Sequence, residues 1–365
     1  MLRVGFDDQI FRAQRRGGAS KYFVELFTRL PRHGVEPVIL TGPTRNLHLA
    51  ESGLVPAAPP RGAIADRAEW FTWRLAGYPI IAPEPRPAID LMHHTFTQRS
   101  YLRRWSGPRV VTVFDMTPEL FPQYFRLGNP HFAKRRYCEQ SDAIIAISQN
   151  TAEDMLRLYS PSLRNKTTVV PIAVGEEFFE DGPGTLDLPE RYLLYVGTRT
   201  GYKHFDTALE AFRLLADDDP GLSLVVVGGG PWRKDEQEAI AATGHADRIS
   251  RLAPADGQMP ELYRRASVFV FPSVYEGFGL PTVESLAAGT PAVVADASCS
   301  REVGGDAAQY FTPLDAAGLA ATIRRAESDD ERARVRIAGP ERARLFDWDR
   351  VARETAEVYR SLVGR

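Results

Sequence analysis

The sequence predicts an α/β protein made of two successive doubly wound units, and three observations carry that reading. Short β-rich apolar runs alternate with segments of helical period, the pattern of parallel sheets covered by helices. At 365 residues the chain exceeds the size at which a single core usually stops growing. A polar, glycine-containing stretch, GEEFFEDGPGTLDLPER, separates two such series and reads as an interdomain linker. The expected organisation is a first domain over 1–172, a linker over 173–190, a second domain over 191–346 and a terminal helix over 347–365.

In the first half, LRVGF, PVIL, LMHHT, RVVTVFD and AIIAIS read as strands. GGASKYFVELFTRLPRHG reads as a helix, because Tyr22, Leu26, Phe27 and Leu30 recur at its period. Residues 43–87 are rich in Pro, Ala and Arg, with one helix expected at AEWFTWRLAG. In the second half the strands are YLLYVG, LSLVVVGG, ISRLA, VFVFPS and PAVVA, and the helices FDTALEAFRLLADDD, QMPELYRRAS and VESLAAG. The amphipathic segment DWDRVARETAEVYRSLVGR ends the chain as a helix, with Asp347 as its expected N-cap. A cleft between the two units would face the carboxyl ends of both sheets, where open α/β sheets bind ligands.

Composition narrows the function. With 44% apolar and 25% charged residues the chain is an ordinary globular one, and a formal charge of −2 gives no electrostatic reason to expect nucleic acid. Cys138 and Cys299 are far apart without metal-ligand spacing, which argues against zinc or a disulfide framework and suits a reducing cytoplasm. The start lacks signal-peptide character, and no apolar run approaches the ~18 residues that span a bilayer. Two basic groups, Arg99, Arg103, Arg104, Arg109 and then Arg126, Lys134, Arg135, Arg136, allow peripheral contact with the inner membrane face, although such runs are usually solvated.

Three motifs are candidates for chemistry. RRGGASKYF opens a helix after the first strand, and Gly17 and Gly18 would let backbone amides approach an anion, or simply form a turn. In YVGTRTGYKHFDTALEAF, Arg199 and Lys203 lie between strand and helix, where they could clamp a diphosphate or stand as solvated cations. YEGFGLPTVES places Glu276 before a glycine loop and Glu284 inside the expected first turn of the next helix. Both carboxylates could accept hydrogen bonds from sugar hydroxyls; for Glu284 the plainer reading is a first-turn acid stabilised by the helix dipole.

Taken together, these stretches resemble the family-four retaining glycosyltransferases of two-Rossmann GT-B architecture, over nearly the whole chain. Glu276 and Glu284 match the family's E-x7-E motif, Arg199 and Lys203 its basic pair, and Gly17 and Gly18 its amino-terminal glycine loop. QIFRAQRRGGASKYFVEL, VTVFDMTPELFPQYF and AIIAISQNTAEDM resemble the subgroup acting on bacterial O-antigen and capsule glycans, several of them mannosyltransferases. The resemblance implies that Glu284 holds the ribose, that Arg199 and Lys203 neutralise the diphosphate, and that Glu276 meets the donor sugar. Amides of Gly277, Phe278, Gly279 and Leu280 would bind phosphate or sugar oxygens, and Asp115 would serve at the catalytic centre. The terminal helix would cross back to the first domain, with hinges near 172–190 and before 348. No metal or cofactor is expected beyond the nucleotide-sugar donor itself, GDP-mannose first and UDP-sugars next. The acceptor would be a glycan, lipid-linked or small-molecule hydroxyl.

One position departs from the family pattern. Phe114 stands where many relatives carry a histidine touching the donor sugar, and a phenyl ring cannot hydrogen-bond a hydroxyl. His93 or His94 would be substitutes in the cleft. Trp70, Trp73, Arg74, Tyr101, Arg103 and Trp105 suit an acceptor sugar or phosphate. Two other functions remain open on these residues, a nucleotide-sugar 2-epimerase and a non-catalytic sugar-nucleotide or glycan-binding subunit.

Overall fold

The computed structural model describes residues 1–59, 88–102, 105–125, 131–182 and 184–364. The chain divides into two compact units, Met1–Ile172 with Trp348–Arg365, and Ala173–Asp347. The expected helix at AEWFTWRLAG, and with it Trp70, Trp73 and Arg74, lies outside the described residues, as do Arg103, Arg104 and Arg126.

The first unit holds a parallel sheet of order β2-β1-β3-β4-β5-β6 among the described residues. Its strands are β1 (Leu2–Asp7), β2 (Val35–Leu40), β3 (Leu91–His94), β4 (Arg109–Val113), β5 (Ala143–Ala146) and β6 (Thr167–Val169). β3 and β5 are buried at every residue, as expected of parallel strands covered on both faces. The helix Gly18–Arg29 buries Tyr22, Phe23, Leu26 and Phe27 on one stripe. Phe27 meets Phe6 of β1 edge-on at 4.7 Å between ring centroids, a favoured aromatic geometry. The terminal helix Trp348–Val363 belongs to this unit and buries Val351, Ala352, Thr355, Ala356 and Tyr359. The Tyr359 hydroxyl lies 2.6 Å from His93 Nδ1, while His93 Nε2 bonds Thr112 Oγ1 at 2.9 Å. Burial lowers the His93 pKa to about 3, so this ring is a neutral link between the terminal helix and the sheet.

The second unit holds β7 (Tyr192–Val196), β8 (Ser223–Val227), β9 (Ile249–Leu252), β10 (Val268–Phe271), β11 (Ala292–Ala295) and β12 (Gln309–Phe311). They pair in parallel in the order β12-β11-β10-β7-β8-β9, the dinucleotide-fold order counted from β7. The helix Phe205–Ala216 repeats apolar side chains at helical spacing, and Phe205, Leu209, Phe212 and Leu215 enter the core beside Leu193, Val226 and Val270. The stretch expected to be a linker is fastened to this unit. Glu261 accepts from Thr185 N at 2.8 Å, Thr185 Oγ1 at 3.1 Å and Leu186 N at 3.0 Å, and pairs with Arg265 at 2.9 Å. Although burial opposes ionisation, these donors hold the Glu261 pKa down to about 2.

Two expectations change here, for Lys134 and Tyr101. Lys134, counted in a basic surface group, is buried and bonded to Glu119 Oε2 and to the Asp115 carbonyl, both at 2.9 Å. Tyr101, offered as an acceptor contact, is also buried and donates to Asp8 Oδ1 at 2.8 Å. Both cysteines are free and buried. Asp217, Asp218 and Asp219 pair with Arg213, Arg324 and Arg191 in turn. Among the described residues no helix is long and apolar enough to cross a membrane.

Candidate active site

In the second unit the strand order reverses at β7, with β8 and β9 following on one flank and β10 to β12 on the other. Loops leaving the carboxyl ends of β7 and β10 therefore diverge around a crevice, the usual ligand position in such sheets. Of the four charged residues expected at a ligand site in this unit, Lys203 and Glu276 lie on these two loops. Lys203 closes the 3-10 turn Gly201–Lys203 after β7, and Glu276 lies in the loop after β10. Lys203 Nζ is 2.5 Å from Glu276 Oε1, with side chains 15% and 17% exposed. Val274 N donates to the Tyr202 carbonyl at 3.0 Å, which ties the two loops together.

The local backbone is strained on both sides of this pair. His204 follows Lys203 at φ 44°, and Ser298 sits at φ 47°, in the left-handed region that non-glycine residues seldom occupy. Ser298 accepts the Glu276 N–H through Oγ at 3.1 Å, and the Cys299 thiol donates to the Glu276 carbonyl at 3.3 Å. Burial pushes the Cys299 pKa up, so this sulfur stays a protonated donor.

Gly279, at φ 82°, turns the loop into the helix Leu280–Ala287. Because the helix starts at Leu280, Glu284 falls in its second turn rather than the expected first, and the first turn holds no acid. A direct N-terminal dipole explanation of Glu284 is correspondingly weaker. Its orientation comes instead from Tyr263, a buried residue of the helix Met259–Arg265, whose hydroxyl donates to Glu284 Oε2 at 2.8 Å. Burial raises the Tyr263 pKa well above its ordinary value, which keeps that hydrogen in place at neutral pH. Phe278 is turned into the protein and packs edge-on against Phe346 at 5.2 Å, so only its backbone is left for a ligand. Gly277 is buried beside it, while Leu280 is partly exposed.

Arg199 has a different setting from its expected partner Lys203. Its side chain is 1% exposed, and all three guanidinium nitrogens donate to protein oxygens. Nε and Nη2 reach the Glu236 carboxylate at 3.1 Å each, while Nη1 and Nη2 hold the carbonyls of Gly228, Gly229, Gly230 and Pro231. Gly228, Gly229 and Gly230 all have positive φ, and a Cβ on Gly229 would lie 2.5 Å from Arg199 Nη1. The guanidinium thus pins the glycine loop after β8.

Asp115, Gly17 and Gly18 belong to the first unit. Asp115 follows β4 with its side chain 37% exposed, and Oδ1 lies 3.7 Å from Lys134 Nζ and accepts Thr117 N at 3.3 Å. Burial works against its charge, but Lys134 and Thr117 keep its pKa below the usual carboxylate value. Gly17 precedes the helix Gly18–Arg29, where Gln14 Oε1 already accepts the Ser20 N–H at 3.1 Å. Phe114 stacks edge-on with Tyr22 at 5.3 Å and Phe23 at 6.0 Å, a packing reason for the departure at that position. His94 is 2% exposed and bonds Asp7 Oδ2 at 2.6 Å, while its Nε2 is buried without a hydrogen-bond partner.

Tyr263, Glu236, Ser298 and Cys299 were not legible as site residues. Each acts through a contact with a residue more than 20 positions away. The available signal was indirect: a Tyr at helical spacing and a Ser after a strand.

Two Rossmann-type parallel-sheet units define an α/β protein of the GT-B class. Comparison makes this specific. Residues 16–178 match Glycosyltransferase Family 4 and residues 178–342 match Glycosyl transferases group 1. The chain is 28% identical to the O-antigen chain mannosyltransferase B of Escherichia coli, over 70% of this chain and 71% of that one. It is 30% identical to the D-inositol 3-phosphate glycosyltransferase of Streptomyces avermitilis, over 94% and 82%. The MMP alpha-(1->4)-mannosyltransferase of Mycolicibacterium hassiacum is 31% identical over 79% and 67%. In structure, Anabaena HepE with bound UDP and glucose superimposes with a TM-score of 0.74 at 18% identity, covering 99% of this chain and 100% of that one. The chain belongs to the family-four, group 1 glycosyltransferases with the GT-B fold.

Proposed function

We propose that the protein is a retaining hexosyltransferase that works without a metal ion and moves a sugar, mannose from GDP-mannose first among candidates, to a hydroxyl on a glycan, lipid-linked or small-molecule acceptor. The observation that carries this is the Lys203–Glu276 pair at the reversal point, with Glu284 eight positions beyond Glu276 and oriented by Tyr263. Lys203 stabilises the departing diphosphate, a fixed cation replacing the charge a metal would bring. Glu276 accepts hydrogen bonds from the donor sugar, and its contact with Lys203 holds the carboxylate at the crevice for that role. Glu284 accepts from the ribose hydroxyls. Arg199, committed to Glu236, acts as a positioning residue for the glycine loop and not as a second diphosphate ligand.

In the transfer, the bond from the anomeric carbon to the diphosphate oxygen breaks and the acceptor oxygen bonds to that carbon from the same face. The acceptor hydroxyl's proton passes to the departing diphosphate oxygen, and the nucleoside diphosphate leaves. Support for mannose comes from two relatives named as mannosyltransferases, and support for uridine nucleotides from HepE, solved with UDP-glucose.

The test is a thermal-shift series with GDP-mannose, GDP, UDP-glucose and UDP in the presence of a chelator, followed by NMR of the product's anomeric signal. An upward shift with one donor, and product of the donor's own anomeric configuration, are expected. A shift that appears only with added divalent metal, or product of inverted configuration, refutes the corresponding part. Donor consumption without any acceptor would favour the epimerase instead.

A further inference from the structure

The second unit has another concave site, at the opposite edge of its sheet. A cavity of about 350 Å³ opens beside Ala266 and Pro291, the residues near the amino ends of β10 and β11, whereas Lys203 and Glu276 follow carboxyl ends. Three arginines line it: Arg264 from the last turn of Met259–Arg265, and Arg332 and Arg336, one turn apart on the helix Asp329–Ala343. Asp181 is the one carboxylate in its lining, and Phe178 and Phe179 supply aromatic surface. Many arginines among the described residues are paired with acids, as Arg191, Arg199 and Arg334 are. Among the described residues, however, Arg332 and Arg336 make no ion pair and no side-chain hydrogen bond, and Arg264 bonds only the Glu180 carbonyl.

Three cations gathered around one concavity with a single carboxylate, Asp181, repel each other, and a guanidinium fork without a protein acceptor is suited to an anion's oxygens in a bidentate manner. Capping the carboxyl end of the helix Leu280–Ala287 does not account for them. That end is closed by its own backbone, with Ala288 N on Glu284 O, Gly289 N on Leu286 O and Thr290 N on Ser285 O. Gly289, at φ 70°, brings this turn against Arg336, whose Cα would lie 3.6 Å from a Cβ there. The volume is at the small end of ligand pockets, about that of a monosaccharide derivative.

We infer that this cavity is a second ligand site, independent of the transfer centre, that takes a phosphate monoester on a sugar-sized body, with Arg332 and Arg336 on the phosphate. The phosphate could be free, as in a sugar phosphate, or carried by a lipid. Titration calorimetry of the full chain with glucose 6-phosphate at low salt reads the first source, and co-sedimentation with phosphatidylcholine vesicles containing phosphatidic acid reads the second. Saturable binding is expected, weakened at least about tenfold in the Arg332→Ala/Arg336→Ala double variant, a loss of about 1.4 kcal/mol or more. It should be unchanged in Lys203→Ala, which isolates the transfer centre. The double variant should keep the unliganded melting temperature, because both side chains reach solvent. Arginine-dependent binding to the vesicles alone would keep the site and assign its phosphate to lipid. No saturable binding to either probe, equal binding of inorganic sulfate, or loss in Lys203→Ala with none in the double variant would overturn the inference.

Discussion

Each unit joins two polar side chains where its strand order reverses, yet the two pairs are built differently. In the first unit Asp7, at the end of β1, meets His94, at the end of β3, and the side chains are 1% and 2% exposed. Gln9 and Thr95 complete the shell around Asp7, with Gln9 Nε2 at 2.7 Å and Thr95 Oγ1 at 2.7 Å. Burial opposes ionisation of Asp7, but His94, with Thr95 and Gln9, brings its pKa below the ordinary value. In the second unit Lys203 and Glu276 hold each other at the rim of the crevice with roughly ten times the exposure, between two strained turns. The same topology thus yields a sealed polar core in one unit and an exchangeable ion pair in the other. A pair meant to meet a ligand must be able to trade its internal bond for an external one; a sealed pair serves stability.

The largest effect should come from the sealed pair. Asp7→Leu strands His94, Gln9 and Thr95 in a dry site and should cost about 3–5 kcal/mol in chemical denaturation. The matching change in the open pair, Lys203→Ala, should cost less than about 1 kcal/mol of stability. It should nevertheless lower kcat/KM by about a hundredfold, slowing transfer more than it weakens donor binding. Equal stability losses in the two variants would break the comparison.

The next effect sharpens it inside the second unit. Glu261 is a sealed carboxylate there, so Glu261→Gln should cost about 2 kcal/mol near neutral pH, by loss of charge-assisted bonds. Its pKa is depressed in the folded protein, from about 4.5 to about 2, so the stabilisation is present in full above pH 4.5 and disappears as pH falls toward 2. Urea midpoints of wild type and variant should converge across that window. A constant difference would mean that charge is not what fastens 185–186 to the unit.

The smallest effect belongs to the second carboxylate of the open site. Tyr263→Phe leaves the Glu284 charge but removes its orienting hydroxyl, and donor affinity should fall about fivefold, or about 1 kcal/mol. Glu284→Ala should weaken the donor more. If Tyr263→Phe binds the donor as wild type does, Glu284 is oriented by its helix alone.

The strands the sequence displayed were those buried on both faces: VFVF and AVVA are continuous apolar runs because neither face sees water. β6 and β12, three residues each and partly exposed at the sheet edges, carry too short a pattern to register. The helix Asp329–Ala343 was hidden for another reason. Only Val335, Gly339 and Ala343 are buried along it, and Pro340 stands in its interior.

By itself, then, the sequence determined the two-unit α/β architecture, its two strand series and the motif that sets Glu276 and Glu284 eight positions apart. Periodicity and turn chemistry are local, and local rules reach that far. The tertiary structure alone decided which charges are spent and which are available. Arg199 and Lys203 stand four residues apart in one loop, but one turns inward to Glu236 and a glycine loop 30 residues away, and the other outward to Glu276. That difference arises from which distant oxygens each cation meets on folding, and no window of neighbouring residues contains it.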